Sequence, residues 1–140
     1  MEYKEIARDA IDSAKRWLVS ADLNAGAGNF DSALYSLEMS VEISMKAVLL
    51  SINIDVPKEH RIGDIFDASI NTDKRIPKEF RQHAADTVNI FNALLELRTA
   101  SGYMFETKTT IKDLKVKYEY YKKDAKRIVE ICAKTVHAIV

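Results

Sequence analysis

Residues that break regular structure are scarce in this chain: four glycines and two prolines in 140 residues. Few positions can therefore adopt a left-handed backbone or interrupt a helical hydrogen-bond ladder, and those that can fall between periodic stretches. Helix follows helix, with no strand signal. Cysteine occurs once, at Cys132. It has no internal disulfide partner, and its phase in the final periodic stretch puts it on the apolar stripe, as a buried thiol rather than a nucleophile. Excess charge is absent as well, with 21 basic side chains against 21 acidic ones. The molecule thus has no bulk attraction to nucleic acid or membrane, and any polyanion site must be local. No run approaches the ~18 apolar residues of a membrane span. The opening MEYKEIARDA has no apolar leader core. These features lead to the expectation of a soluble, cytoplasmic protein without a membrane partner. The histidines, His60, His83 and His137, share no ligand spacing with one another or with the cysteine, so neither a metal nor a cofactor is expected. No Ser, His and acid follow in a triad-like order, and no glycine-rich phosphate loop occurs.

What is present is helical periodicity. A first helix is expected from about Tyr3 to Leu23, burying Ile6, Ala10, Ala14, Trp17, Leu18 and Ala21. It stops at Asn24-Ala-Gly-Ala-Gly, where Gly26 or Gly28 supplies the left-handed residue. Asn29 caps the second helix, with Asp31 in its first turn. A short helix is expected from His60 to Ile70, carrying Ile62, Ile65, Phe66 and Ser69. Pro77 opens a helix that runs to about Ala100. Beyond Gly102 a loop leads to Thr110, which with Asp113 offers a capping box for a long last helix. That helix buries Leu114, Tyr118, Tyr121, Ala125, Ile128, Cys132, Val136 and Ile139. Four long helices joined by short loops give an all-α, antiparallel up-and-down four-helix bundle with an additional short helix, as a single domain over residues 1–140.

The second helix is apolar on two sides. Phe30, Ala33, Leu34, Leu37, Val41, Ser44, Met45, Val48 and Ile52 form a wide stripe; Met39, Ile43, Ala47 and Leu50 form another nearly opposite. Such a helix is covered twice, either as the central member of the bundle or by a second copy of the chain. Between the stripes, Glu38, Glu42 and Lys46 follow at one-turn intervals, the last two in the order of a favourable i,i+4 ion pair. On the fourth helix, Phe80, Ala84, Thr87, Val88, Phe91, Leu94 and Leu95 form the apolar stripe, and Arg98 falls in its middle. A guanidinium pointing inward requires a partner, and Glu42 or Glu38 is the candidate; the alternative is an arginine at a helix end that snorkels to water. Lys115, Lys122 and Lys126 lie close in phase and form a modest positive stripe, which reads as a solvated helix face.

The run from Gly28, Asn29 and Phe30 through Ala33, Glu42, Lys46, Ala47, Leu49 and Leu50 to Pro57 and His60, followed by Arg98 at the end of a later helix, resembles the HEPN family (higher eukaryotes and prokaryotes nucleotide-binding). The resemblance covers essentially the whole chain. In members with ribonuclease activity it implies an Arg followed four to six residues later by a His: the Arg holds the scissile phosphate and the His moves a proton. Here the string is Arg98-Thr-Ala-Ser-Gly-Tyr103, so the His is replaced by a tyrosine, a poor proton shuttle with an ordinary pKa of ~10. The pattern is similar to that of non-catalytic members. The resemblance therefore implies a nucleotide-, RNA- or partner-binding module that homodimerises, and that in toxin–antitoxin settings acts beside a minimal nucleotidyltransferase, with Tyr103 as an acceptor hydroxyl. The interface or ligand candidates are Arg98, Tyr103, Glu42, Lys46, Glu38 and His60, with no catalytic residue assigned. The alternatives are a metal-independent ribonuclease toxin with a non-standard proton donor, and a structural scaffold.

Overall fold

The computed structural model describes residues 2–140, and every regular element among them is helical. These are α1 (Glu2–Gly26), α2 (Phe30–Ser51), α3 (Gly63–Thr72), α4 (Lys78–Gly102), α5 (Met104–Thr107) and α6 (Ile111–Ile139). The expected class is the one found: α1, α2, α4 and α6 form the up-and-down bundle, and α3 is the short insert. Among the described residues, no helix is long and apolar enough to cross a membrane.

The two-sided apolarity of α2 has an intramolecular explanation. This helix packs against α1, α6, α4 and α3, which makes it the centre of the bundle. Leu34, Leu37, Val41, Met45 and Val48 of the first stripe are wholly or almost wholly buried, and so is Ala47 of the second. Met39, Ile43 and Leu50 remain half-buried. Covering from within the chain accounts for the first stripe and for Ala47, and leaves Met39, Ile43 and Leu50 partly open. Full burial of a side chain of this size contributes ~1.5–3 kcal/mol, so Leu34, Phe66 and Phe91, all fully enclosed, are principal sources of stability.

Several local details differ from expectation. The buried line of α1 is Ala7, Ile11, Ala14 and Ala21, while Ile6 is 46% exposed. The line Ala7, Ile11 and Ala14, at i, i+4 and i+7, is the buried face of α1 and turns Ile6 outward. Helix α3 starts at Gly63 and not at His60, with Ile62 at the N-cap position. A Cβ on Gly63 would meet Val88 Cγ1 at 3.2 Å and Asn92 Oδ1 at 3.3 Å, so the entry to α3 is pressed onto α4 where only glycine fits without adjustment. Where a loop was expected after Gly102, the chain makes the single turn α5 and leaves it through Lys108, whose φ is 59°. Asn29 holds the N-cap position of α2 without a side-chain cap bond; instead its N–H donates to the Asn24 carbonyl at 2.9 Å, across a turn in which Gly28 has φ of 81°.

Other expectations hold in detail. Thr110 Oγ1 accepts from the Asp113 N–H at 3.1 Å and the Asp113 carboxylate accepts from the Thr110 N–H at 3.0 Å, completing the capping box of α6. Cys132 is buried, and burial pushes its thiol up to about 12.

Candidate functional site

Helix α2 presents Tyr35, Glu38, Glu42 and Lys46 along one face, since steps of three and four residues keep side chains in register. Helix α4 runs beside it and delivers Arg98, and the loop between α2 and α3 delivers His60. The three segments meet at the guanidinium.

Arg98 points inward, as its phase predicts, with its side chain 17% exposed. Its Nη1 donates to Glu38 Oε1 at 2.6 Å and lies 3.8 Å from Glu42 Oε1. Its Cζ sits 4.4 Å from the centre of the Tyr35 ring, within the range of a cation–π contact, and its Nη2 reaches the Tyr35 hydroxyl at 3.5 Å. Glu42 is shared. Lys46 Nζ donates to its Oε2 at 3.0 Å, and His60 Nδ1 lies 3.0 Å from Oε1 and 3.1 Å from Oε2. Lys46 also donates to the Glu59 carbonyl at 2.8 Å, so it fastens the α2–α3 loop that carries His60. The i,i+4 pair of Glu42 and Lys46 forms, and with the Glu42 side chain 2% exposed it lies against the core.

The imidazole tautomer follows from these contacts. An Nδ1–H that donates to the Glu42 carboxylate cannot also accept, so the 3.0 Å approach of Arg98 Nη1 to Nδ1 is not a hydrogen bond. The ring accepts instead through Nε2, which Arg98 Nη2 approaches at 3.4 Å. His60 is thereby fixed at one nitrogen by a buried carboxylate while its side chain stays 52% exposed.

Two carboxylates this close and this buried do not both hold a full charge. Desolvation, followed by its hydrogen-bonding and charge interaction with Glu42, pushes Glu38 up from the ordinary 4.5 to about 8, and the neighbouring guanidinium only partly opposes this. Glu42 is held low, because its hydrogen bonds with Glu38, Lys46 and His60 together outweigh its own burial. The Glu38 Oε2 atom, buried and reached by no donor, is the natural seat of the extra proton, which it can then donate to Glu42. Leaving His60 aside, the cluster at neutral pH then holds one carboxylate against the two cations Arg98 and Lys46. It carries spare positive charge.

The donor atoms of Glu38, Glu42 and His60 lie within 4.8 Å of one another, a spacing that would suit a metal ion. The Arg98 guanidinium, in contact with Glu38 and His60, already fills the place such a cation would take. Tyr103, the other sequence candidate, is not brought into the cluster. It is 55% exposed at the junction of α4 and α5 and makes no side-chain hydrogen bond or ring contact among the described residues.

Two members were not anticipated. Tyr35 lies one turn before Glu38 on the same face of α2, a signal that its absence from both apolar stripes obscured. Trp17, assigned to the buried line of α1, is half-buried and meets Tyr35 with ring centres 6.0 Å apart. Their rings, with Arg98, line an open groove of about 440 Å³.

No curated protein and no solved structure matches this chain. The family model of the HEPN domain matches residues 7–140, nearly its whole length. A match over nearly the whole of an all-helical chain places it in one family, and the chain belongs to the HEPN domain family.

Proposed function

We propose that this protein is a single HEPN module that binds a nucleotide or RNA segment through the Arg98 guanidinium, as a non-catalytic homodimer. The observation that carries this reading is the incomplete neutralisation of Arg98. It is held in place by Glu38 and Tyr35 and lines a groove open to solvent, beside a carboxyl that is largely protonated at neutral pH. Such a pre-positioned, partly desolvated guanidinium is suited to a phosphate, with Lys46 adding charge and His60 a further hydrogen-bonding edge. The replacement of the motif His by Tyr103 supports binding over cleavage. The half-buried Met39, Ile43 and Leu50 support a second copy seated beside the site, since Met39 Sδ lies 3.9 Å from Arg98 Nη1. Within a toxin–antitoxin pair, the exposed Tyr103 hydroxyl would be accessible to a minimal nucleotidyltransferase.

One observation favours a second reading, a metal-independent ribonuclease. His60 brings an imidazole to Arg98 from a different element than the family motif uses. In that role His60 Nε2 would take the proton of a ribose 2′-hydroxyl as its oxygen attacks phosphorus. The bond to the 5′ oxygen would break, and the proton would pass to that leaving oxygen. A purely structural scaffold would leave both activities absent.

Mixed RNA incubated with purified protein separates these readings. The binding reading expects a retarded, intact RNA whose retention is lost in Arg98→Ala and retained in His60→Asn. Cleavage abolished by both substitutions would favour the nuclease, and no binding by a folded wild-type protein would leave only the scaffold. Light scattering that shows a monomer at micromolar concentration would remove the homodimer.

A further inference from the structure

The groove beside Arg98 has a composition that a phosphate alone does not require. Trp17 and Tyr35 form one side of it, and their planes are inclined by 59°, so neither ring stacks face to face on the other. Tyr35 is 40% exposed. Its ring already carries the Arg98 guanidinium at 4.4 Å, so an anion on Arg98 lies within a few ångströms of an aromatic wall.

The remaining lining is hydrogen-bonding and, apart from Asp31, neutral. Ser20 Oγ and Ser36 Oγ are 3.0 Å apart, and Asn24 Nδ2 donates to the Ser20 carbonyl at 2.9 Å and approaches Ser20 Oγ at 3.3 Å. Those bonds fix the Asn24 amide and leave its Oδ1 as an acceptor without a partner among the described residues. Asp31 lines the same groove. A carboxylate there accepts from sugar hydroxyls and repels a second phosphate group.

A volume of about 440 Å³ falls within the usual range for small-molecule sites, ~300–1,000 Å³. A lipid headgroup would not use the aromatic wall. An acidic peptide would not use the aromatic rings together with the serine and asparagine dipoles. A nucleotide unit uses all of them: a planar base for the rings, a ribose for the carboxylate and hydroxyls, and one phosphate for one guanidinium.

We infer that the Trp17–Tyr35 groove is a base-stacking subsite that selects a nucleoside monophosphate, or one nucleotide of a strand, with its phosphate on Arg98. This assignment rests on the reading of Arg98 as a phosphate anchor and adds to it the requirement for a base.

The chain has one tryptophan, so its fluorescence reports on this subsite directly. The experiment titrates wild-type protein with adenosine 5′-monophosphate and with ribose 5-phosphate, following fluorescence and, in parallel, heat of binding. Adenosine 5′-monophosphate should quench Trp17 and bind about tenfold or more tighter than ribose 5-phosphate, as loss of one base–aromatic stack implies. Tyr35→Leu also takes away the ring that seats Arg98, so both ligands should weaken, adenosine 5′-monophosphate by more, and the ratio of the two affinities should fall toward one; Trp17→Phe should preserve most of that ratio by calorimetry. Equal affinities with no change in fluorescence would overturn the subsite, yet Arg98-dependent binding of both ligands would leave the phosphate anchor standing. Quenching that persists in Arg98→Ala would also overturn it, because the base would then be stacking in a pose not set by the phosphate. Failure of both ligands to bind would defeat subsite and anchor together. Circular dichroism of each variant confirms that the helices are intact.

Discussion

Replacement of Arg98 by alanine tests the electrostatics of the site, because its effect on stability should depend on pH. Removal of one partner from a buried ion pair typically costs ~3–5 kcal/mol, since it strands the other charge. Glu38, however, is pushed up to about 8, so near pH 6 it is largely neutral already. What Arg98→Ala removes there is a hydrogen bond from a charged donor at 2.6 Å together with a cation–π contact. The expected loss at pH 6 is therefore ~1.5–3 kcal/mol, the scale of a hydrogen bond to a charged group. Above pH 8 the two proteins diverge further. In the wild type, Glu38 ionises beside the guanidinium; in the variant its pKa is higher still, because the one group lowering it is gone. Linkage then increases the difference by up to ~1.4 kcal/mol per pH unit until the variant also titrates. The sign for the wild type itself follows from the same shift. A carboxyl raised in the folded state adds stability that is complete below about 4.5 and is lost as pH climbs through about 8. Urea denaturation of both proteins at pH 6, 7.5 and 9, with Glu38→Gln as a background in which the pH dependence should vanish, measures this. A flat loss of ~3–5 kcal/mol across the range would mean that Glu38 is ionised throughout, and the charge balance drawn for the site would be wrong.

Two further predictions concern the frame that holds the site. Thr110→Ala removes half of the capping box of α6 and should destabilise the protein by ~1 kcal/mol in the same denaturation assay, whereas Thr110→Ser should change little. Cys132, buried and with its thiol pushed up to about 12, should resist a water-soluble maleimide in the native protein and label fully in denaturant, as mass spectrometry would show.

Much of this arrangement was legible in the sequence because helical phase is a strong constraint. Arg98 sits in the stripe defined by Phe91, Leu94 and Leu95; that register pointed it inward, with Glu42 or Glu38 as candidate partner and a snorkelling arginine as the alternative, and the structure pairs it with Glu38. The capping box of α6 was readable for a similar reason, since three residues of local spacing decide it. What the sequence obscured depends on tertiary approach. His60 sits in an irregular segment whose course is set by Lys46 bonding the Glu59 carbonyl and by Gly63 pressing on α4, and neither constraint has a periodicity. In the first turns of α1 the chain buries Ala7 and Ile11 where the apolar pattern pointed to Ile6 and Ala10, because adjacent apolar residues leave the phase open by one position, whereas Ala14 and Ala21 are buried as expected. Burial changed the meaning of Glu38 and Glu42 as well. On a surface they would be two ordinary charges, but fully enclosed they share essentially one.

The same enclosure links binding to pH. As Glu38 ionises, the cluster loses its spare positive charge, and a phosphate on Arg98 gains a competitor 2.6 Å away. Arg98 and Glu42 face that carboxyl directly, Lys46 and His60 are joined to it through Glu42, and Glu38→Gln removes its titration while leaving them in place. The most direct test of the central claim is calorimetric titration of adenosine 5′-monophosphate into wild-type and Glu38→Gln protein at pH 7 and pH 9. Affinity in the wild type should fall severalfold between the two, and affinity in Glu38→Gln should stay nearly level. A wild-type affinity that is unchanged or stronger at pH 9 would contradict Arg98 as an anion anchor governed by the proton on Glu38.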